Sequence, residues 1–161
     1  MRKLLALTFL TLDGVIASPE TWAFPYFDGE LGATVGALLS RTDATVTGRV
    51  TYQDGGSYRP TYVVSTTLRS DDVTVLRDAA ELAALRHRPG GDIGVLGGGT
   101  LVRSLLALDL LDELHLLVHP VLVGRGTRLF GGDTAAKPLK LRMVQTIGTG
   151  VVHSCYEPAT G

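Results

Sequence analysis

The sequence predicts an α/β fold whose sheet has an antiparallel edge. Three observations predict it. Apolar runs of strand length alternate along the chain with segments of helical period. The last quarter holds two strand-like runs, 139–157, around Gly148 and Gly150, which is the pattern of a hairpin. The 161 residues are 45% hydrophobic and 19% charged, enough apolar material for one compact core and no signature of disorder.

The elements follow in order. The stretch "KLLALTFLTL" (3–12) reads as a buried first strand ending in the turn pair Asp13-Gly14, and not as a leader, because Thr8, Thr11 and Asp13 interrupt its apolar run. A loop with Pro19, Trp22 and Pro25 leads to "DGELGATVGALLSR" (28–41). There Leu31, Val35, Leu38 and Leu39 fall at helical spacing. "DATVTG" (43–48) is a short strand, and "GRVTY" (48–52) opens a turn or helix. "TYVVST" (61–66) and "DVTVL" (72–76) read as strands. "DAAELAALRHR" (78–88) reads as a helix with Asp78 at its start and Pro89-Gly90-Gly91 as its stop. "DIGVL" (92–96) is a strand, Gly99 to Leu108 a helix, "DELHLLVHPVLV" (112–123) a long strand, and "GRGTRLFGGD" (124–133) a loop. No repeat, linker or low-complexity tract interrupts this order, so residues 1–161 are expected to form a single domain.

The formal net charge of -1 gives no general attraction to nucleic acid or to an acidic membrane. No apolar stretch is long enough to span a bilayer as a helix. The single cysteine, Cys155, cannot make an internal disulfide, and no Cys/His cluster has metal-ligand spacing. A reduced, cytoplasmic setting without nucleic-acid, membrane or metal partners is the expectation.

The chemistry concentrates at strand ends. "VLGGGTLVR" (95–103) places Gly97, Gly98 and Gly99 between a buried strand and a helix, followed by Thr100 and Leu101. Glycine is costly inside regular structure, and one would serve a tight turn. Three let the backbone approach a ligand, and the helix N-terminus behind them offers unpaired N–H groups suited to phosphate. The spacing is neither GxGxxG nor a P-loop. In "TGRVTY" (47–52), Gly48 ends a strand beside Arg49 and Thr51. In "VVSTTLR" (63–69), Ser65, Thr66 and Thr67 follow a buried strand with Arg69 beyond. Ser, Thr and Arg together are what a ribose phosphate requires.

In this order and spacing, "TLDGVIA" (11–17), "GRVTY" (48–52), "VVSTTL" (63–68), "VLGGGTLVRSLL" (95–106), "DELHLLVHPVLVGRGTRLF" (112–130) and "CYEP" (155–158) resemble the dihydrofolate reductase-like family. The resemblance covers nearly the whole chain and is nearest the branch of the RibD C-terminal reductase domain of riboflavin biosynthesis. It implies a three-layer fold, with a mostly parallel central sheet, flanking helices and an antiparallel C-terminal strand. It implies NADPH as cofactor and hydride transfer to a C=N or C=O bond of a small heterocyclic or sugar-derived substrate. By the same resemblance, Gly97 to Thr100 meet the pyrophosphate, with a cis Gly97-Gly98 peptide. Arg49 and Thr51 grip a cofactor phosphate. Ser65, Thr66 and Thr67 face the adenosine, and Arg49 or Arg69 favours the 2′-phosphate. Leu96 touches the nicotinamide edge. Val15, Ile16 and Ala17 lie in a mobile loop that packs against the nicotinamide ring or its ribose. A homodimer is also implied, with 114–123 as an edge or interface strand.

The acid that helps a folate substrate gain a proton has no clear counterpart. Asp28 and Glu30 are candidates, each with an alternative reading as a helix N-terminal carboxylate. Asp13 is a further catalytic candidate, with the alternative that it accepts local backbone N–H groups in an Asp-Gly turn. The short segment 53–60 predicts a more open substrate pocket or a different ligand. Trp22 and Tyr26 are substrate-pocket candidates for stacking on a flat ring, and Phe27 is expected in the core. His115 and His119 share a strand face and read as structural histidines. His153 and Cys155 share a face of the last strand with no chemistry assigned. A nucleotide-binding sensor or a dimerisation module without catalysis is the alternative to a reductase.

Overall fold

A computed structural model describes residues 1–53, 61–132 and 135–159. Of the segment 53–60, to which the expectation about the pocket is tied, residues 54–60 lie outside the described residues. Eight strands form one sheet among the described residues: β1 (Leu4–Thr11), β2 (Thr42–Gly48), β3 (Tyr62–Val64), β4 (Thr74–Leu76), β5 (Asp92–Leu96), β6 (Glu113–His119), β7 (Leu139–Ile147) and β8 (Val151–Pro158). Their order is β4-β3-β2-β5-β1-β6-β8-β7. The first six are parallel to their neighbours, and the β7–β8 hairpin adds antiparallel to β6. Strands buried on both faces read as continuous apolar runs, which is why "LLAL" and "IGV" carry no alternation.

Among the described residues four α-helices lie between strands: α1 (Gly29–Leu39), α2 (Arg49–Gln53), α3 (Leu82–Leu85) and α4 (Gly99–Ala107). One face of the sheet packs Leu4, Ala6 and Leu10 with Leu82 and Leu85 of α3 and Leu101, Val102 and Leu105 of α4. The other packs Leu7, Leu117, Ile147 and Val151 with Leu31 and Leu38 of α1. The sheet thus lies between two helical layers, as expected.

Several expected elements are shorter than the pattern predicts, among them the strand over 72–76, which spans only Thr74–Leu76. The helix over 78–88 is a 3-10 turn, Ala79–Glu81, running into the single turn of α3. The capping box of Asp78 and Glu81 starts it. It stops because "RHRPGG" (86–91) holds no apolar side chain to bury. The strand over 61–66 spans only Tyr62–Val64. The strand over 112–123 ends at His119 because Pro120 has no N–H for the ladder. Nor is β6 an edge strand: β1 and β8 flank it, and the edges are β4 and β7. Residues 121–129 turn back along 12–16 instead. Leu12 N–H donates to Val121 O at 3.0 Å, Ile16 N–H to Thr127 O at 2.9 Å and Leu129 N–H to Gly14 O at 2.9 Å.

No described helix is long and apolar enough to cross a membrane.

Candidate functional site

In parallel α/β sheets the chain turns into its crossovers at the carboxyl ends of the strands, and ligands gather there. Here β2, β3 and β5 end side by side at Gly48, Val64 and Leu96. The turns that follow enclose a cleft of about 800 Å³. Its lining includes nine of the residues expected at the cofactor: Gly48, Arg49 and Thr51; Ser65, Thr66 and Thr67; Gly98, Thr100 and Leu101. Segments more than forty residues apart in sequence converge because β5 inserts between β1 and β2.

The three glycines divide their work. Gly97 and Gly98 have φ of +65° and +77°, backbone that side chains rarely adopt. A Cβ on Gly97 would lie 2.8 Å from both Cγ2 and Oγ1 of Thr51. Gly99 is the first residue of α4, and a Cβ there would meet Arg103 Nη1 at 2.7 Å and Ile16 Cδ1 at 3.1 Å. Of the three, Gly98 alone faces the cleft. Positive φ and close packing on Thr51 therefore account for Gly97 without any ligand, whereas the atoms nearest a Cβ on Gly99 are the ends of flexible side chains. No cis peptide bond occurs among the described residues, so Gly97-Gly98 is trans. The turn is achieved by the two positive φ angles.

The N-cap residue of α4 is Gly98, which has no side chain to cap the helix. Its first-turn N–H groups lack intrahelical acceptors and carry the positive end of the helix dipole. The nearby Ser65 hydroxyl is turned to a structural use. It is buried, and its Oγ accepts from the backbone N–H of Thr67 at 3.2 Å and of Leu68 at 2.9 Å. Thr66 and Thr67 are the exposed hydroxyls of that loop.

The cation in the cleft that sequence reasoning missed is Arg77. Its Nη1 donates to the carbonyls of Ser65 at 3.0 Å and Leu68 at 2.8 Å, which pins the Ser/Thr loop and sets the guanidinium against the cleft. Arg69, the expected alternative, is exposed and does not line it. Arg77 follows β4, which pairs with β3, so strand pairing brings it beside Ser65; its spacing in sequence carries no such signal. Arg49 also lines the cleft and donates to Gln53 Oε1 at 3.0 Å.

The loop after β1 differs from expectation. Val15 is buried, so it is a core residue and not a ligand contact. It bridges to Arg128, and the surrounding backbone bonds fasten the loop to 121–129. Asp13 completes this fastening. Its carboxylate accepts from Thr11 Oγ1, from Gly124 N–H at 2.8 Å and from Val123 N–H at 3.4 Å. The Thr11 hydroxyl, then the Gly124 N–H, hold its pKa below the ordinary aspartate value. The Asp13-Gly14 turn is present, but the N–H groups that the Asp13 carboxylate accepts are those of Val123 and Gly124 and not local ones, because 121–129 turns back along the loop. Ile16 reaches the Gly99 backbone, and the Ala17 carbonyl accepts from Trp22 Nε1 at 3.0 Å.

Asp28 is the N-cap of α1, its Oδ1 accepting from Leu31 N–H at 2.8 Å. Glu30 Oε2 accepts from Gly148 N–H at 3.0 Å, tying α1 to the β7–β8 turn. Both carboxylates have structural partners. Trp22 is 5% exposed and meets His119 edge-on at 5.0 Å, so it is core and not a pocket wall. Tyr26 packs on the same histidine, with its hydroxyl donating to Pro120 O at 3.4 Å. Phe27 is 57% exposed, not in the core. Leu96 packs with the α1 layer, at the end of β5. His119 is structural as expected: Nδ1–H donates to Leu117 O at 2.9 Å, and burial lowers its pKa.

The model of the RibD C-terminal domain family matches residues 2–153. The chain belongs to that family. Within and around the family, Uncharacterized protein YyaP of Bacillus subtilis (strain 168) is 28% identical, covering 96% of this chain and 94% of its own length. A pyrimidine reductase-like protein from Corynebacterium diphtheriae superposes with a TM-score of 0.77 at 18% identity, over 99% of this chain and 93% of that one. Dihydrofolate reductase from Enterococcus faecalis, solved with NADP(H) and RAB-propyl, superposes with a TM-score of 0.65 at 16% identity, over 97% and 96% of the two chains. The RibD C-terminal fold seen here is thus dihydrofolate reductase-like.

Proposed function

We propose that this chain is an NADPH-dependent reductase acting on a C=N or C=O bond of a small pyrimidine-, pterin- or flavin-like heterocycle. One observation carries the reading. The uncapped N-terminus of α4 and two guanidiniums, Arg49 and Arg77, line a single cleft at the carboxyl edge of the sheet. A volume of about 800 Å³ lies within the roughly 300–1,000 Å³ of ligand sites. The glycine at its mouth, Gly98, has no Cβ to keep a phosphate from the backbone.

When bound, NADPH supplies the hydride from its nicotinamide ring. The N–H groups of Thr100 and Leu101, beside Gly98, bind the pyrophosphate. Arg77, backed by the Ser65 and Leu68 carbonyls, and Arg49 hold the 2′-phosphate. Thr66 and Thr67 bind the adenosine ribose. Asp13 and Asp28 are committed to backbone N–H groups, so the substrate's proton comes from water.

That commitment also favours a second reading, an NADP(H)-binding sensor without turnover. Incubation with NADPH and a panel of pyrimidine, pterin and flavin compounds, followed at the NADPH absorbance, separates the two. Substrate-dependent NADPH loss supports the reductase. Tight binding without loss on any compound supports the sensor. A homodimer formed through edge strand β7, where Leu141 and Val144 are 52% and 58% exposed, is proposed with it. Light scattering showing twice 17.1 kDa supports it, and 17.1 kDa alone refutes it.

A further inference from the structure

A second, smaller pocket of about 300 Å³ lies at the opposite end of the sheet, where β6 begins. Three different metal-ligating side chains meet on its floor: Glu113, His115 and Cys155. Glu113 and His115 are two apart on β6 and share a face. Cys155 stands opposite His115 in the β6–β8 register. The sequence hides this trio because it depends on an antiparallel register across about forty residues.

We propose that Glu113 Oε2, His115 Nε2 and Cys155 Sγ bind one divalent cation of zinc type, with the fourth position open to the pocket. The three donor atoms lie within 4.8 Å of one another. A tetrahedral zinc site has bonds of about 2.0 Å to oxygen and nitrogen and about 2.3 Å to sulfur, which separates N and S by roughly 3.6 Å and O and N by roughly 3.3 Å. His115 Nε2 is 3.6 Å from Cys155 Sγ and 2.8 Å from Glu113 Oε2. The nitrogen–sulfur pair is already at bonding geometry. The oxygen–nitrogen pair is at hydrogen-bond length and opens slightly when a metal replaces the proton between them.

The surrounding groups orient the ligands as outer shells of metal sites do. Arg41 grips the Glu113 carboxylate with two bonds, Nη1 to Oε2 and Nη2 to Oε1, both 2.9 Å. His115 Nδ1 meets His153 Nε2 at 2.9 Å, which fixes the ring plane and leaves Nε2 facing the pocket. The carboxylate is ionised at neutral pH, Arg41 holding its pKa down to about 2. Burial, then the Glu113 charge, pushes the Cys155 thiol up to about 11, so the incoming cation is what ionises it. Metal binding at Nε2 requires the His115 proton on Nδ1, where it donates to His153 Nε2. The charges of carboxylate, thiolate and divalent cation then sum to zero. Lys3 and Arg142 also line the pocket, each paired with an acid, Glu113 and Glu157 respectively.

The test is a titration of the metal-stripped full chain with Co²⁺, followed in the near ultraviolet for thiolate-to-cobalt charge transfer and in the visible for tetrahedral cobalt. One equivalent bound with both signals, displaced by Zn²⁺, is expected. The Cys155→Ser variant should lose the charge-transfer band and bind cobalt at least about 100-fold more weakly, with circular dichroism reporting its fold. The Glu113→Gln variant should keep the band with weakened affinity. No thiolate band in the folded wild-type protein overturns the proposal, whatever the variants do. So does equal cobalt affinity in a folded Cys155→Ser variant, or binding of several equivalents without the band.

Discussion

Replacing Gly97 with alanine tests whether the turn between β5 and α4 is built on backbone strain and on contact with α2. At φ +65° a Cβ costs about 1 kcal/mol. That Cβ would also sit 2.8 Å from Cγ2 and Oγ1 of Thr51, an overpacking worth about 2 kcal/mol. The sum is about 3 kcal/mol, or roughly 6–12 °C in Tm for a domain of this size. Gly124→Ala is the control. Its φ is +78° and nothing lies within 4 Å of the added Cβ, so only the backbone cost of about 1 kcal/mol applies. Thr51→Ala removes both clashing atoms and leaves the Thr51 Cβ at 3.4 Å, an ordinary contact. Thermal and urea denaturation of Gly97→Ala, Thr51→Ala and the double variant should show a favourable coupling of about 1–2 kcal/mol. A Gly97→Ala variant no less stable than Gly124→Ala, or a coupling below about 0.5 kcal/mol, refutes the packing argument.

The core and the cleft make further predictions. Leu105→Ala, at a fully buried position between α4 and the sheet, should cost about 2–5 kcal/mol by calorimetry or denaturant titration. Arg77→Ala should weaken NADPH binding more than NADH binding, read by calorimetry, because it removes a guanidinium from the 2′-phosphate side of the cleft. His119 has a folded pKa lowered by burial, so the fold favours its neutral form. Its contribution is fully present above the ordinary histidine value of 6.5 and is lost as pH falls below it, which the pH dependence of Tm in wild type and His119→Phe should show. Asp13, with its folded pKa depressed by Thr11 and Gly124, holds the 121–129 segment above the ordinary value of 3.8 and loses its grip as pH falls below it. Amide exchange at Gly124, measured against pH, checks that release.

The parts of this protein that follow local rules were legible in the sequence. The strands of the sheet, the helix behind Gly99, the antiparallel hairpin and nine residues of the cleft are all set by apolar runs, glycines and caps a few residues apart. Lateral pairing was not legible. Arg77 reaches the cleft only because β4 adds beside β3, and Glu113, His115 and Cys155 meet only through the β6–β8 register. The roles of Trp22, Phe27 and Val15 were misread for a related reason. An aromatic or aliphatic loop residue suits a pocket wall and a core anchor equally, and the choice is made by what packs on it. For Trp22 that is His119, ninety-seven positions away. The three glycines gave the right junction, but Gly97 answers to Thr51 and Gly98 to the cleft.

The measurement that tests the central claim most directly is a paired titration of the purified chain with NADPH and NADH by calorimetry, with Arg77→Ala alongside. The account predicts one NADPH per chain, bound more tightly than NADH, with most of that preference lost in the variant. Neither nucleotide binding to the folded protein would contradict it, as would equal affinity for the two that Arg77→Ala leaves unchanged.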